Sequence, residues 1–387
     1  MTTYTGPLVP ADDHLNHQIA DTFATVCQTD RAWTEKVAAS AYGPDGELEL
    51  FFGLGKYTNR GVIDAFGGVS RGTDQWTVRA SRELTPVVDA ASVGPLHYQV
   101  IEPMQQVRFA LDPNDIVPIS FEWTFTAAVP AQLENREQHR SLGGARLEAD
   151  LVRYHQIGTA RGWVEVDGRR TEFDDTWVST RDHSWGVRYF VGKPVTDIPP
   201  PPDIGAASNH MIWMPALMRR DDGSRYGLHL YYQASTSELV GASLQVQGGV
   251  EYPDGRRVPV VGATPDLKYR PDNRRLLGGT IDLVLAGGEH RQISVKPISD
   301  TGFHLGTGLY FGFDGDIHGV WHGPLHVTGE YIGNCDDPQV ARRIHQLRDC
   351  VVEVVDHATG AQGIGNAQTM VLGAPEGLGL DAESSFL

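Results

Sequence analysis

Ile119-Ser120-Phe121-Glu122-Trp123-Thr124-Phe125-Thr126 alternates apolar and polar side chains without a break. Ile119, Phe121, Trp123 and Phe125 share one face at a period of two, whereas a helix would scatter them around its circumference. The stretch reads as a half-buried β-strand, and the chain around it repeats the pattern. Tyr42-Gly43-Pro44-Asp45-Gly46 is a turn leading into the alternating Glu47-Leu48-Glu49-Leu50-Phe51. Gly162 to Phe173 reads as a hairpin turning at Asp167-Gly168. Further hairpin turns are expected at Asp222-Gly223, Pro253-Asp254-Gly255, Gly287-Gly288 and Thr359-Gly360. Turn signals this frequent, among 44 glycines, predict an all-β protein built from antiparallel sandwiches or barrels.

Helices are expected to be few and short. Asp336-Asp337-Pro338 followed by Val340, Ile344 and Leu347 combines an acidic N-cap, proline at the first helical position and an apolar stripe. Ala11 to Val26 reads as a second short helix, with His14, His17 and Asp21 on its polar side. Neither covers a parallel sheet, which excludes α/β architectures. At 387 residues, a prior of roughly 150 residues per domain favours two domains. The sharpest break runs from Lys193-Pro194 to the four prolines Pro199–Pro202, a stiff extended connector that no central strand tolerates. It predicts one β domain over residues 1–197 and a second over 198–387.

Composition narrows the functional classes. The chain is 40% hydrophobic and 21% charged, as folded globular proteins are. Its 49 acidic and 32 basic residues give a net charge of −17, and its basic groups are short pairs such as Arg219-Arg220. Nucleic acid and anionic membrane surfaces are therefore not expected as partners, since both favour concentrated positive charge. Cys27, Cys335 and Cys350 are odd in number and widely spaced, which fits a reducing compartment and gives no zinc signature. The N-terminus carries no signal-peptide pattern, and no stretch approaches the ~18 apolar residues of a membrane span. A cytoplasmic location is expected.

The chemistry concentrates in Ser179-Thr180-Arg181-Asp182-His183-Ser184-Trp185-Gly186-Val187-Arg188, just before the proline break. On a strand, Arg181, His183 and Trp185 share one face while Asp182, Ser184 and Arg188 start on the other, with Gly186 free to bulge. A titratable imidazole beside an indole supplies proton transfer and an aromatic wall at one spot. The competing structural reading makes this a strand end, with Trp185 in the core, His183 satisfied and Asp182 paired with an arginine. Gly68-Val69-Ser70-Arg71-Gly72 has the spacing of a nucleophile elbow, but a second strand rather than a helix follows it. His318, His322 and His326 recur every four residues; the intervening glycines forbid a helix, and strand residues four apart stand ~13 Å from one another. They read as pocket-lining residues rather than ligands of one ion, leaving His322 and Glu330 as site candidates. Gly306-Thr307-Gly308 and Gly363-Ile364-Gly365 lack the setting of a dinucleotide fingerprint. Trp213, Tyr231 and Tyr232 lie on strands opening the second domain, where aromatics form core or wall a ligand cavity.

Thr180-Arg181-Asp182-His183-Ser184-Trp185-Gly186, preceded by Gly162-Trp163-Val164-Glu165-Val166-Asp167-Gly168, resembles the Asp-His-x-Trp segment of carotenoid 1,2-hydratases and related tandem lipocalin-like proteins of the AttH type. That group is also similar to fungal prenyl-flavonoid hydratases and lipocalin-like cyclases. The resemblance implies two lipocalin-like antiparallel barrels in tandem, with an apolar pocket near their junction. It maps the family pattern onto Asp182, His183 and Trp185. The family's Tyr and nearby Asp in a following strand correspond to Leu230-Tyr231-Tyr232-Gln233-Ala234, which offers tyrosines but no aspartate.

The expected activity is thus that of a lyase needing neither metal nor cofactor, a hydratase of an apolar isoprenoid-like or aromatic alkene. His183, or a carboxylic acid close by, protonates the double bond; Trp185 stabilises the cation through its π face; Asp182 orients His183; a positioned water adds. Arg188, Trp213, Tyr231, Tyr232, His322 and Glu330 are expected to bind the substrate. The alternatives are a cyclase or isomerase using the same pocket, and a carrier that binds a hydrophobic small molecule without turning it over.

Overall fold

The structure, a computed structural model, describes residues 8–15, 17, 26–87, 91–141, 146–200 and 203–386. The Ile119–Ala127 strand has the predicted alternation, with Phe121, Trp123 and Phe125 fully buried and Glu122 and Thr124 partly exposed. Trp123 stacks on Phe109 at 4.9 Å between ring centroids and tilts against Phe121 at 5.3 Å. These rings belong to the largest hydrophobic cluster among the described residues, together with Phe52, Leu96 and Val107.

Almost all of the regular structure is antiparallel sheet. The first sheet has 13 strands. The meander Trp33–Tyr42, Leu48–Tyr57, Val62–Arg71 and Asp74–Glu83 joins, through Trp33–Tyr42, the long hairpin Leu147–Val166 and Arg169–Val187. That hairpin turns at Asp167 and Gly168 with φ of 53° and 74°, the paired left-handed residues whose twist suits a two-residue connection. The second sheet closes on itself. Eight strands, from Ala207–Arg219 through His290–Pro297 and on to Arg348–Asp356 and Ala361–Leu372, form a ring sealed where His290–Pro297 pairs with Arg348–Asp356. A closed ring leaves no free strand edges, and its interior is filled by Ile212, Leu228, Ile281, Val354 and their neighbours. The architecture is the expected pair of antiparallel β-barrels in tandem. The hairpin turns at Asp222-Gly223, Gly255, Gly287-Gly288 and Gly360 all fall between paired strands.

One segment crosses between the halves. Leu325–Ile332 leaves the C-terminal half and pairs with Asp74–Glu83, extending the first sheet by a strand. The chain before it, Phe303 to Pro324, lies over the junction. Lys193 to Pro200 is exposed irregular chain, while Pro201 and Pro202 lie outside the described residues. The Pro338–Ile344 helix forms as read, with Asp337 accepting from the backbone amides of Gln339 and Val340 at 2.8 and 3.3 Å. Of the Ala11–Val26 helix, a single 3₁₀ turn over Pro10–Asp13 is seen; residues 16 and 18–25, Asp21 included, lie outside the described residues. Ser70 sits inside a strand with its hydroxyl donated to the Gly302 carbonyl at 2.9 Å, so no nucleophile elbow forms. Among the described residues no helix is long and apolar enough to cross a membrane.

The alternation carries a quantitative consequence. Trp123→Ala is expected to lower unfolding free energy by about 3–5 kcal/mol, and Thr124→Ala by less than about 1 kcal/mol. Equilibrium denaturation of both variants checks the ordering.

Candidate active site at the junction of the barrels

The strand Arg169–Val187 separates two compartments, and its pleat sorts the Arg181–Arg188 cluster between them. Arg181 and His183 turn into the first barrel and are fully buried there. Arg181 is bound at 2.5 Å by Asp13 Oδ1 and at 2.6 Å by Gln156 Oε1. His183 Nε2 lies 3.0 Å from Glu35 Oε1, and Nδ1 lies 3.2 Å from the Tyr154 hydroxyl, which donates to Asp13 at 2.7 Å. His17 continues the chain, 2.6 Å from Glu35 and 2.9 Å from Asp12, with its ring stacked on Trp185 at 3.6 Å. Although burial alone would raise them, the carboxyls of Asp13 and Glu35 are held below the usual range, Asp13 chiefly by Arg181 and Glu35 by His17 and His183. Both nitrogens of His183 are engaged, and the Pro10–Asp13 turn is fastened into the barrel through Asp13. The arrangement is a clamp.

Asp182, Ser184 and Arg188 project the other way, toward the second barrel. The register runs unbroken through Gly186, with no bulge; that residue, at φ 134°, lets the adjacent strand approach so closely that a Cβ would sit 2.2 Å from the Asp150 carbonyl. Across this junction lies a cavity of about 370 Å³ walled by Lys36, Asp182, Arg188, Trp213, Tyr231 and Tyr310, with Met211, Met370, Phe190 and Phe311 adding apolar surface. Phe190 and Phe311 are bulky residues held at φ of 61° and 63°, and their rings meet edge to face at 4.8 Å. Such backbone strain persists only where its surroundings enforce it, and it clusters at ligand sites. Two larger open clefts, of about 540 and 580 Å³, flank Asp175 on another face. They hold surface pairs such as Arg161–Asp175, whose side chains are mostly exposed, and lack the buried titratable groups of the junction.

Lys36 is the chemically distinctive residue of this cavity. It is 3% exposed, donates to His318 Nε2 at 2.8 Å and lies 3.7 Å from the Tyr310 ring centroid. His318 Nδ1 is 3.4 Å from Asp64 Oδ1, and Asp64 also accepts from Tyr57 at 3.0 Å and from the Gly319 amide at 2.8 Å. Burial, reinforced by repulsion from Arg188 and opposed by Asp64 and Asp182, brings the Lys36 ammonium down to about 7. Burial and the neighbouring Lys36 bring His318 down to about 4, so the ring is neutral and accepts. Arg188 donates to Ser184 Oγ at 2.6 Å, yet its Nε is buried without a partner and, among the described residues, it forms no salt bridge. Asp182 instead lies 3.4 Å from Arg153.

The structure thus separates the residues expected to act together. Asp182, Arg188, Trp213 and Tyr231 meet at the cavity. His183 and Trp185 stand on the opposite face of their strand, so Asp182 does not orient His183. Tyr232, one residue from Tyr231, turns into the second barrel against its core. His322 pairs with Asp316 at 3.0 Å, and Glu330 with Arg79 and Arg343 at 3.1 and 2.7 Å. Neither lines the cavity: Glu330 lies on the crossing strand at the edge of the first sheet, and His322 lies just before that strand, held by Asp316. His318 does not line the cavity either but backs it through Lys36, and His326 lies against His322. Lys36 was missed in the sequence; its signal is the adjacent charges Glu35-Lys36 inside an otherwise apolar strand.

Fold and cavity together define a tandem lipocalin-like protein with a ligand-sized space where the barrels meet. The chain belongs to a family of unknown function (DUF8625), matched over residues 8–381. Among solved structures it is similar to an AttH-type protein of Nitrosomonas europaea, at 12% identity and a TM-score of 0.50, over 87% of this chain and 92% of that one. It is also similar to kievitone hydratase from Nectria haematococca, at 10% identity and a TM-score of 0.43 over 95% and 96% of the chains. CghA with Sch210972 matches at 13% identity and a TM-score of 0.41, over 88% of each chain. No curated protein matches. At such identities the first likeness is one of fold, and it agrees with the tandem lipocalin-like architecture expected from the Asp-His-x-Trp segment.

The clamp predicts an acid-sensitive fold. Asp13 and Glu35 have depressed folded-state values, so their contribution is fully present above about pH 4 and is lost as the pH falls below it. Asp13→Ala strands Arg181 and is expected to cost about 3–5 kcal/mol near neutral pH. Its remaining stability is expected to fall less steeply in acid than that of the parent, as urea denaturation at both pH values reports.

Proposed function

We propose that this protein is a lyase of the hydratase–dehydratase type, acting in the junction cavity on a small molecule with an apolar, ring-bearing body and a carbonyl head. The observation that carries the reading is the buried Lys36 amine, backed by His318 and Asp64 and facing Arg188, whose guanidinium retains an unpartnered nitrogen. An amine poised near neutrality is suited to accept and return a proton at physiological pH.

In the dehydration direction, neutral Lys36 removes a proton from the carbon next to the carbonyl, and the electron pair moves to the carbonyl oxygen. Arg188 holds the resulting oxyanion in a site of low dielectric, where such an interaction is strongest. The pair then returns to form the C=C bond as the β C–O bond breaks. The departing oxygen takes the same proton back from Lys36 and leaves as water. Hydration is the reverse sequence. Trp213, Tyr231 and Tyr310 wall the apolar body, and the Phe190–Phe311 pair limits access of bulk water. In this reading His183 and Trp185 position the strand that presents Arg188, rather than touching substrate.

General acid–base catalysis contributes typically 10²–10⁴-fold, which sets the expected loss. β-Hydroxy ketones and enones with aromatic or prenyl bodies, screened by mass spectrometry for gain or loss of one water, identify the substrate. Lys36→Met is expected to lower kcat by ~10²–10⁴ with KM changed only a few-fold. A Lys36→Met protein with undiminished turnover contradicts the proposal, and a ligand bound tightly but unchanged by the parent protein makes the chain a carrier.

A further inference from the structure

We propose that Glu134, His155 and His229 form a binding site for a divalent transition-metal ion of the zinc class, which fastens the two barrels together beneath the cavity. One ligand atom from each residue lies within 4.8 Å of the others, and all three side chains are buried. The site straddles the junction. Glu134 and His155 come from the first half, Glu134 directly after the short Gln132–Leu133 strand and His155 from the Leu147–Val166 strand; His229 comes from Arg225–Ser237 of the closed barrel.

The separations from Glu134 suit one small ion, and the His155 and His229 rings, stacked at 3.6 Å between centroids, splay apart to admit it. Glu134 Oε1 is 3.1 Å from His155 Nδ1 and 3.5 Å from His229 Nε2. Tetrahedral coordination at bonds of about 2.0–2.2 Å places neighbouring ligand atoms roughly 3.3–3.6 Å apart. His155 is also oriented as metal-bound histidines are: its other nitrogen, Nε2, lies 2.9 Å from Glu251 Oε1, a carboxylate behind the ring that fixes which nitrogen faces the site. A nitrogen and carboxylate donor set is one that zinc-class ions accept.

An independent observation points to a missing partner. His229 is fully buried, and neither of its ring nitrogens has a hydrogen-bond partner; the contact with Glu134 at 3.5 Å is not aligned as one. A buried imidazole without partners is costly, and a metal bond at Nε2 supplies what the protein does not. His17 and His183, which with Glu35 are also close enough to hold an ion, have a hydrogen-bond contact at every ring nitrogen, as His155 does, so the missing partner is specific to His229. The site is coupled to the cavity above it: Trp213 donates to Glu134 at 3.2 Å, and Arg153 lies 3.4 Å from the other Glu134 oxygen, while both residues line the cavity.

Titration of the full-length protein, stripped of metal, with Co²⁺ is followed by visible absorption for the parent, His229→Phe and Glu134→Gln. Phe keeps the stacking shape of His229 against His155, and Gln keeps the shape of Glu134. The expected result is one saturable site per chain with tetrahedral-type absorption, lost in both variants. Zinc-edge anomalous diffraction from parent crystals soaked in zinc chloride is expected to place a peak at bonding distance from Glu134, His155 and His229, a readout that stands even if a variant fails to fold. Absence of a saturable site, unchanged binding in a folded variant, or a peak seated at His17, Glu35 and His183 or on the surface instead overturns the proposal.

Discussion

The pleat of one strand is the constraint on which the rest depends. Arg169–Val187 is paired on both sides from Val178 to Val187, by Trp33–Tyr42 and by Leu147–Val166, so it can neither rotate nor slip. A slip of one residue would exchange every side chain between its faces. With register fixed, Arg181 and His183 are committed to the first barrel, and Asp182, Ser184 and Arg188 to the junction. The neighbouring strand obeys the same rule: Glu35 faces inward to His183, and Lys36, the next residue, faces outward to the cavity. Two chemistries thus occupy the two faces of one sheet, a structural clamp inside and a reactive wall outside.

Both faces bury charge, and the way each offsets the cost distinguishes them. Inside, Arg181, Asp13, Glu35 and His17 are matched by opposite charges and hydrogen bonds, which holds the Asp13 and Glu35 carboxyls ionised. At the junction the balance is incomplete. Lys36 has a neutral imidazole as its direct acceptor, and Arg188 keeps an unpartnered nitrogen. Unsatisfied polar groups are rare in protein interiors, and here they line a cavity bounded by aromatic rings. That combination separates the junction from the open clefts around Asp175, which are larger but hold ordinary surface pairs.

Much of the fold was legible in the residues themselves. The alternation at Ile119–Thr126 and the Asp-Gly and Gly-Gly turns are local signals, and the hairpins they predict all form. The crossing of Leu325–Ile332 onto the first sheet was not legible, because no local pattern tells a strand which sheet it will join. For the site, the Arg181–Arg188 segment was rightly read as two faces, yet His183 was expected to face substrate; only the packed Pro10–Asp13 turn reveals it as part of a clamp. Tyr231 and Tyr232 differ by one residue and end in different compartments. Lys36 carries no motif, and His318 stands out from His322 and His326 only once the loop around it is placed. Glu134, His155 and His229 are scattered from residue 134 to residue 229, so no spacing rule brings them together.

The central claim is that Lys36 is a proton-transfer group whose charge is destabilised by the junction. Nuclear magnetic resonance of lysine side chains labelled at Cε, with Lys36→Met identifying the resonance, follows its titration directly. The account predicts a titration near the value of about 7 set by burial and Arg188. A Lys36 signal that titrates near the ordinary lysine value of about 10.4 contradicts it.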